Sequence, residues 1–164
     1  MRTTALLLAL SLLLVAAPPA NLELPAGLRL RLRLVDYVNT EHEPVGMTYR
    51  ALFEEKLSLG KDFQITEKSR ALLRLLPDGA GTGVTLEWFA VRLDEVWFET
   101  RAVDDTQAAA TTALIHVEDR RPAANESKPL VSRGPHLYIP PGSILQFELK
   151  RRVRLVRVGR ENIY

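Results

Sequence analysis

The chain contains no cysteine, and that single absence removes several classes of protein. A lipid-anchored bacterial precursor needs a cysteine at its cleavage site, a disulfide-stapled secreted scaffold needs pairs, and thiolate metal ligation or thiol catalysis needs at least one. Histidine is nearly as scarce: His42, His116 and His136 are the three present, and no two stand at metal-ligand spacing. His42 lies between Glu41 and Glu43, a setting that reads as a solvated loop before it reads as a cation site. No His-Glu-x-x-His and no Gly-x-Ser-x-Gly occurs, and Ser143 follows a turn without such an elbow. Gly79-Ala80-Gly81-Thr82-Gly83 lacks the lysine and the following helix that make a phosphate loop work, so it reads as a hairpin turn. Charge of one sign is also lacking. With 22 Lys+Arg against 20 Asp+Glu, no global field selects a partner, and any electrostatic role must come from local clustering.

Long apolar runs are confined to the start of the chain. Met1 to Thr4 give a short, weakly cationic opening, Ala5 to Ala17 are apolar except for Ser11, and Pro18, Pro19 and Ala20 close the run. This is the pattern of a secretory signal peptide over residues 1–20. At 13 residues the run falls short of the roughly 20 that span a bilayer. Export to the periplasm, envelope or exterior is therefore expected, with membrane contact only through an uncleaved signal or peripherally. Residues 21–164 then suit one domain with one core. Held by that core without disulfides, the domain fits a bacterial envelope, where the acceptor-like Asn125-Glu126-Ser127 means little.

Alternation dominates the rest. Leu28, Leu30, Leu32 and Leu34 alternate with Arg29, Arg31 and Arg33, which places the leucines on one face of a half-buried strand. Thr48 to Leu59 reads as a strand, with a short helix as the other option, and Asp62 to Thr66 as another short strand. Arg70 to Leu76 is made of good helix formers, yet it is short and precedes a glycine-rich turn, so a hairpin with Val84 to Val91 is the more economical reading. Val96 to Thr100 then makes a second hairpin across Leu93-Asp94-Glu95. Both tryptophans, Trp88 and Trp97, fall in this pair, and core or cross-strand packing is expected of them before a sugar-stacking role. Asp104 to Pro135 reads as an irregular, partly disordered insertion with one short element at Leu114 to Val117. Ser143 to Leu149 and Arg152 to Val158 are the last strands. The tripeptide pattern Pro-x-Gly precedes a strand twice, at Pro25-Ala26-Gly27 and Pro140-Pro141-Gly142. The fold class expected is all-β: a small single-domain barrel or sandwich of short, mostly antiparallel strands.

The order Leu24-Pro25-Ala26-Gly27 plus strand, Val45-Gly46-Met47-Thr48-Tyr49-Arg50-Ala51, the hairpin Val84 to Thr100, and Tyr138-Ile139-Pro140-Pro141-Gly142-Ser143 with Leu145 and Phe147 resembles a poorly characterised family of exported bacterial envelope proteins. Its members pair a signal peptide with a "P-x-G-T" strand, a "G-D-T-F-R-A" element and a closing "I-P-x-G-T-x-L-x-F-x-L" strand. The "I-P-x-G" strand entry is also similar to that of the β-barrel domain of type IV secretion, conjugal-transfer channel proteins. Two departures stand out: Ile65-Thr66-Glu67-Lys68 replaces a mid-chain "I-P-x-G", and Asp104 to Pro135 replaces a glycine-zipper stretch. The resemblance implies an envelope β-domain and assigns no chemistry.

No paired carboxylate makes an acid/base site by itself, because the neighbours Glu54-Glu55, Asp94-Glu95 and Asp104-Asp105 point to opposite faces if they lie on strands. Neither catalysis nor a cofactor or metal is expected. The clustering that remains is basic. Lys150, Arg151, Arg152, Arg154, Arg157 and Arg160 place six cations in eleven residues without an acid. If the first and last strands pair, Arg29, Arg31 and Arg33 join Arg151, Arg152, Arg154 and Arg157 in one outward patch for an anionic envelope polymer, lipid headgroups or an acidic protein. The competing expectation is that these arginines guard solvated edges or pair with Glu54, Glu87 and Glu99. Nucleic acid is not expected, since no aromatics interleave the arginines and the chain is read as exported. The function expected is a non-catalytic structural or interaction module of the envelope. Two rivals have structural signatures: an enzyme acting on carbohydrate or peptide would set an exposed Trp88 or Trp97 beside paired carboxylates in a cleft, and a small-ligand carrier would have an apolar lumen.

Overall fold

The computed structural model describes residues 22–59, 63–78, 83–104, 111–118 and 136–159. The segment read as a signal peptide and most of the 104–135 insertion lie outside these residues. Among the described residues all regular structure is β, in thirteen strands: β1 (Leu22–Leu24), β2 (Arg29–Leu34), β3 (Val38–Asn39), β4 (Thr48–Phe53), β5 (Leu57–Leu59), β6 (Phe63–Ile65), β7 (Arg70–Pro77), β8 (Val84–Leu93), β9 (Val96–Ala102), β10 (Thr112–Glu118), β11 (Tyr138–Ile139), β12 (Ile144–Leu149) and β13 (Val153–Val158). Nine form one curled antiparallel sheet, a half-barrel in the order β1-β13-β9-β8-β7-β4-β2-β12-β10, and β3·β11 and β5·β6 make two small ribbons.

The period-two leucines of β2 do what their spacing requires, since Leu30, Leu32 and Leu34 are 3%, 0% and 1% exposed while the intervening arginines face out. The two Pro-x-Gly turns prove to serve one strand pair. Gly27 at φ 79° donates its amide to the Leu149 carbonyl at 2.8 Å, and Gly142 at φ 86° donates to Leu34 at 2.8 Å. They close opposite ends of the antiparallel β2·β12 ladder. Both adopt the left-handed conformation that glycine enters without a Cβ penalty. The stretch read as one strand over Thr48 to Leu59 is two, β4 and β5, separated by a bend at Glu54 and Glu55. Arg70 to Leu76 is a strand in spite of its helix formers, because β4 and β8 flank it on both sides and bury Ala71, Leu72, Leu73 and Leu75. The β8·β9 hairpin turns through Asp94 and Glu95 at φ 43° and 67°, the primed-turn geometry that suits the sheet's twist. Arg92 closes that turn by pairing with Glu95.

The condition for one outward arginine patch, pairing of the Leu28 to Leu34 strand with the last strand, is not met. β2 lies between β4 and β12, and β13 lies between β9 and the short β1. The reason is local: Leu22 and Leu24 of β1 take the free side of β13 opposite Leu155 and Val153, and bury their side chains there. The Pro25-Ala26-Gly27 turn then carries β2 away to β12.

The core has its centre at Trp88, which is 0% exposed and meets Phe53 edge to face at 5.6 Å and 85°. Here the sheet forks. Above Trp88, β8 pairs with β9; at and below it, β10 comes up against β8 without a backbone ladder. Threonine hydroxyls close the fork instead: the Trp88 amide donates to Thr112 Oγ1 at 2.8 Å, and Thr100 Oγ1 lies 3.3 Å from the Trp88 carbonyl and 3.2 Å from that of Phe89. One residue earlier, Glu87 is 3% exposed and accepts from the Thr111 amide at 2.6 Å, the Thr111 hydroxyl at 2.9 Å and Arg74 Nη2 at 2.9 Å. This latch binds β10 to β8 by side chains. Trp97 belongs to a separate cluster with Leu72, Ala90, Phe89 and Val158, so the two tryptophans do not pack on each other.

At the end of β2, the Asp36 carboxylate accepts from the Arg50 amide at 2.6 Å and from its guanidinium at 2.5 and 3.0 Å, and these bonds hold its pKa below the ordinary value. A depressed carboxyl contributes stability that is present above its unfolded pKa of about 4 and is lost as pH falls through the lower folded value. The Arg50 side chain is 71% exposed, so screening limits the contribution to about 0.5–1 kcal/mol. Denaturant titrations at pH 7 and pH 3 are expected to show Asp36→Asn costing that much at neutrality and distinctly less at the acid end.

Candidate functional site

The outward arginines of β2 are largely spent within the fold. Arg33 donates to both oxygens of Glu54 at 2.5 and 2.9 Å, and Arg31 reaches Glu55 at 2.7 Å and Glu118 at 3.2 Å. Gln146 also donates to Glu118, at 2.6 Å, so the outer face of β2, β12 and β10 is a knitted polar ladder. Hydrogen bonds donated to Glu55 and to Glu54 are the leading causes that push the Arg31 and Arg33 pKa values upward. Of the acids named in advance, Glu54 pairs with Arg33, whereas Glu87 pairs with Arg74 and Glu99 with Arg101.

Arg29 differs. Its side chain is 73% exposed, and its Nε lies 3.5 Å from Glu148, which also has Lys150 Nζ at 3.7 Å. One carboxylate thus stands between two cations, at separations longer than a good charge-assisted hydrogen bond. The chain path creates this corner. The Leu149 amide donates to Leu28 at 2.9 Å, the Lys150 amide to Thr111 at 3.0 Å, and the Val103 amide to Arg152 at 3.1 Å. The β12–β13 bend is therefore fixed beside the start of β2. Arg152 is exposed there and has no acidic partner among the described residues. Arg151 is half-buried and engaged with the protein.

The seven arginines of the expected patch are accordingly divided. Arg29 reaches Glu148 near the end of β12, Arg151 and Arg152 follow in the bend after it, Arg31 and Arg33 are neutralised along β2, and Arg154 pairs with Glu23 at 2.9 Å. Arg157 sits at the opposite end of β13, about 16 Å of strand from Arg152 at ~3.3 Å per residue. Sequence reasoning missed Glu148, whose place between Arg29 and Lys150 follows from the β2·β12 register, in which Glu148 opposes Arg29. Arg160 lies outside the described residues.

Other candidate chemistry is dispersed. Trp88 is sealed in the core and Trp97 is 9% exposed. Glu54 and Glu55 each take an arginine of β2. His42 is exposed at 4.0 Å from Glu41, while Glu41 accepts from Tyr138 and Glu43 from both the Tyr49 hydroxyl and the Asn39 amide. Burial, with the Glu43 hydrogen bond second, pushes the Tyr49 phenol pKa up, so that hydroxyl stays a donor. Among the described residues no group of His, Asp and Glu is placed to hold a metal ion. No described helix is long and apolar enough to cross a membrane. The interior is filled, with Leu32, Leu73, Leu75, Leu86, Trp88, Leu145 and Phe147 all at 0% exposure.

These observations define an all-β half-barrel with a packed interior and with Arg29, Lys150 and Arg152 exposed at one corner. No family model matches the chain, and no curated protein matches it.

Proposed function

We propose that this protein is an exported, non-catalytic binding module of a bacterial envelope that takes an anionic partner, polymer or protein, at the Arg29–Lys150–Arg152 corner. The observation that carries the reading is the sharing of Glu148 by two cations, with a third at the following bend that has no acidic partner among the described residues. Exposed pairs at such distances contribute little to folding, so these cations lose little by turning to a ligand. Export is supported by the apolar segment at Ala5 to Ala17, the absence of cysteine and the motif resemblance to envelope β-domain proteins. A packed interior supports recognition on the surface, where electrostatic complementarity sets on-rate and specificity.

The test is binding to immobilised polyanions, polygalacturonate and polyglutamate, at low and high salt. Arg29→Ala/Lys150→Ala/Arg152→Ala is expected to lower affinity about tenfold or more, roughly 1.4 kcal/mol, with an unchanged melting temperature. Arg33→Ala is expected to leave binding intact. Equal binding by the triple variant and the parent would refute the corner.

A further inference from the structure

Along the outer face of β2, β12 and β10 the ratio of acids to cations inverts from one row of the ladder to the next. Arg31 stands opposite Gln146 and reaches two carboxylates, Glu55 and Glu118. In the neighbouring row Glu148 stands opposite Arg29 on β2 and opposite Ala113 on β10. Here one carboxylate serves two cations, its Oε2 at 3.5 Å from Arg29 Nε and its Oε1 at 3.7 Å from Lys150 Nζ. Exposed Arg152 follows in the bend and adds a third positive charge without adding an acid.

Glu148 is held in this position by its chain neighbours. Phe147 and Leu149 are 0% and 1% exposed, so strand alternation turns the residue between them outward. The methyl side chain of Ala113 offers its carboxylate no hydrogen bond, which leaves Arg29 and Lys150 as its cationic neighbours. Both distances exceed the roughly 2.7–2.9 Å of a good charge-assisted hydrogen bond, so each cation is only partly satisfied. The Glu148 side chain is 28% exposed, against 73% for Arg29 and 50% for Lys150. An anion arriving from solvent therefore meets the two cations first and finds a negative charge already lying between them.

We propose that Glu148 is an internal competitor for the anion at this corner, occupying in the free protein the ground between Arg29 and Lys150 that a ligand carboxylate takes. It weakens binding of every anion there, and it favours a polymer over a single carboxylate. A lone carboxylate only exchanges places with Glu148, whereas a polymer brings several to the three cations at once. Two like charges about 5 Å apart in water repel enough to weaken binding about fourfold, and more where solvent is partly excluded.

This role rests on the reading of the corner as an anion site, and one experiment separates the two. Calorimetric affinities for polyglutamate and for polygalacturonate are measured at about 0.1 M salt, where screening acts within about 10 Å. The proteins compared are the parent, Glu148→Gln, Glu41→Gln and the corner triple variant. Glu41→Gln removes the same charge from the loop beyond the far end of β2 and keeps an acceptor for Tyr138, so it reports the effect of net charge alone. The Arg29–Glu148 contact is exposed and long, so the fold survives its loss, and melting curves verify this. Expected are binding about four- to tenfold tighter for Glu148→Gln and a change of less than about twofold for Glu41→Gln. Equal gains in the two glutamine variants overturn the competitor and leave the corner standing. Weaker binding by Glu148→Gln also overturns it, since Glu148 then orients the cations for the ligand. A triple variant that binds like the parent overturns the corner itself, and no binding by the parent or by Glu148→Gln overturns both.

Discussion

Trp88→Ala is expected to cost about 3–5 kcal/mol in equilibrium denaturation, the largest single effect in this protein. The indole is fully buried, stands edge-on to Phe53, and donates Nε1–H to the Ala90 carbonyl at 2.8 Å. Truncation removes its transfer free energy, leaves a cavity the half-barrel cannot close, and forfeits an aromatic contact of about 0.5–1.5 kcal/mol. It also strips the packing from the point where β9 and β10 part. Trp88→Phe keeps most of the volume and is expected to lose distinctly less; equal losses for the two variants would mean that the cavity is not the cause.

The second large effect is expected at Glu87. Its carboxylate is the one acid among the described residues that is almost wholly buried, and removing it leaves the Thr111 amide and hydroxyl without their acceptor and Arg74 without its partner. An unsatisfied buried donor costs about 1–3 kcal/mol and a broken buried ion pair about 3–5. The Arg74 side chain is 44% exposed and rehydrates in part, which places Glu87→Ala at about 2–4 kcal/mol. Glu87→Gln retains an acceptor for Thr111 and is expected to lose about half as much. Hydrogen exchange gives the sharper readout: amides of β10 are expected to lose protection in Glu87→Ala before those of β2 and β12 do. Uniform loss across the sheet would mean that Glu87 acts as ordinary core and not as a latch on β10.

The architecture was legible wherever a strand has one wet and one dry face. β2, β12 and β13 alternate cleanly because each is solvated on the outside, and the hairpins at 77–84 and 93–96 announce themselves through their turn residues. β1 was not legible, since three residues are too few to show a period. The bend that splits Thr48 to Leu59 was hidden for a different reason: Glu54 and Glu55 turn outward to reach Arg33 and Arg31, and those partners are distant in sequence. The arginine cluster was visible by composition, but its state was not. Alternation puts Arg31, Arg33 and Arg29 on one face without saying that two of them meet carboxylates from β10 and the β4–β5 bend while the third shares one with Lys150.

The amino-acid sequence by itself determined the all-β class, the inward leucines, the punctuation by Pro-x-Gly and the absence of thiol chemistry, because each depends on side-chain periodicity, backbone freedom or a missing element. Which strands adjoin, which guanidinium groups are left unpaired, and that a buried glutamate and three threonines close the sheet's fork were decided by tertiary structure alone. Strand neighbours depend on which apolar edges win one another at long range, and the free energy of a charge is set by whatever the fold brings within a few ångströms of it.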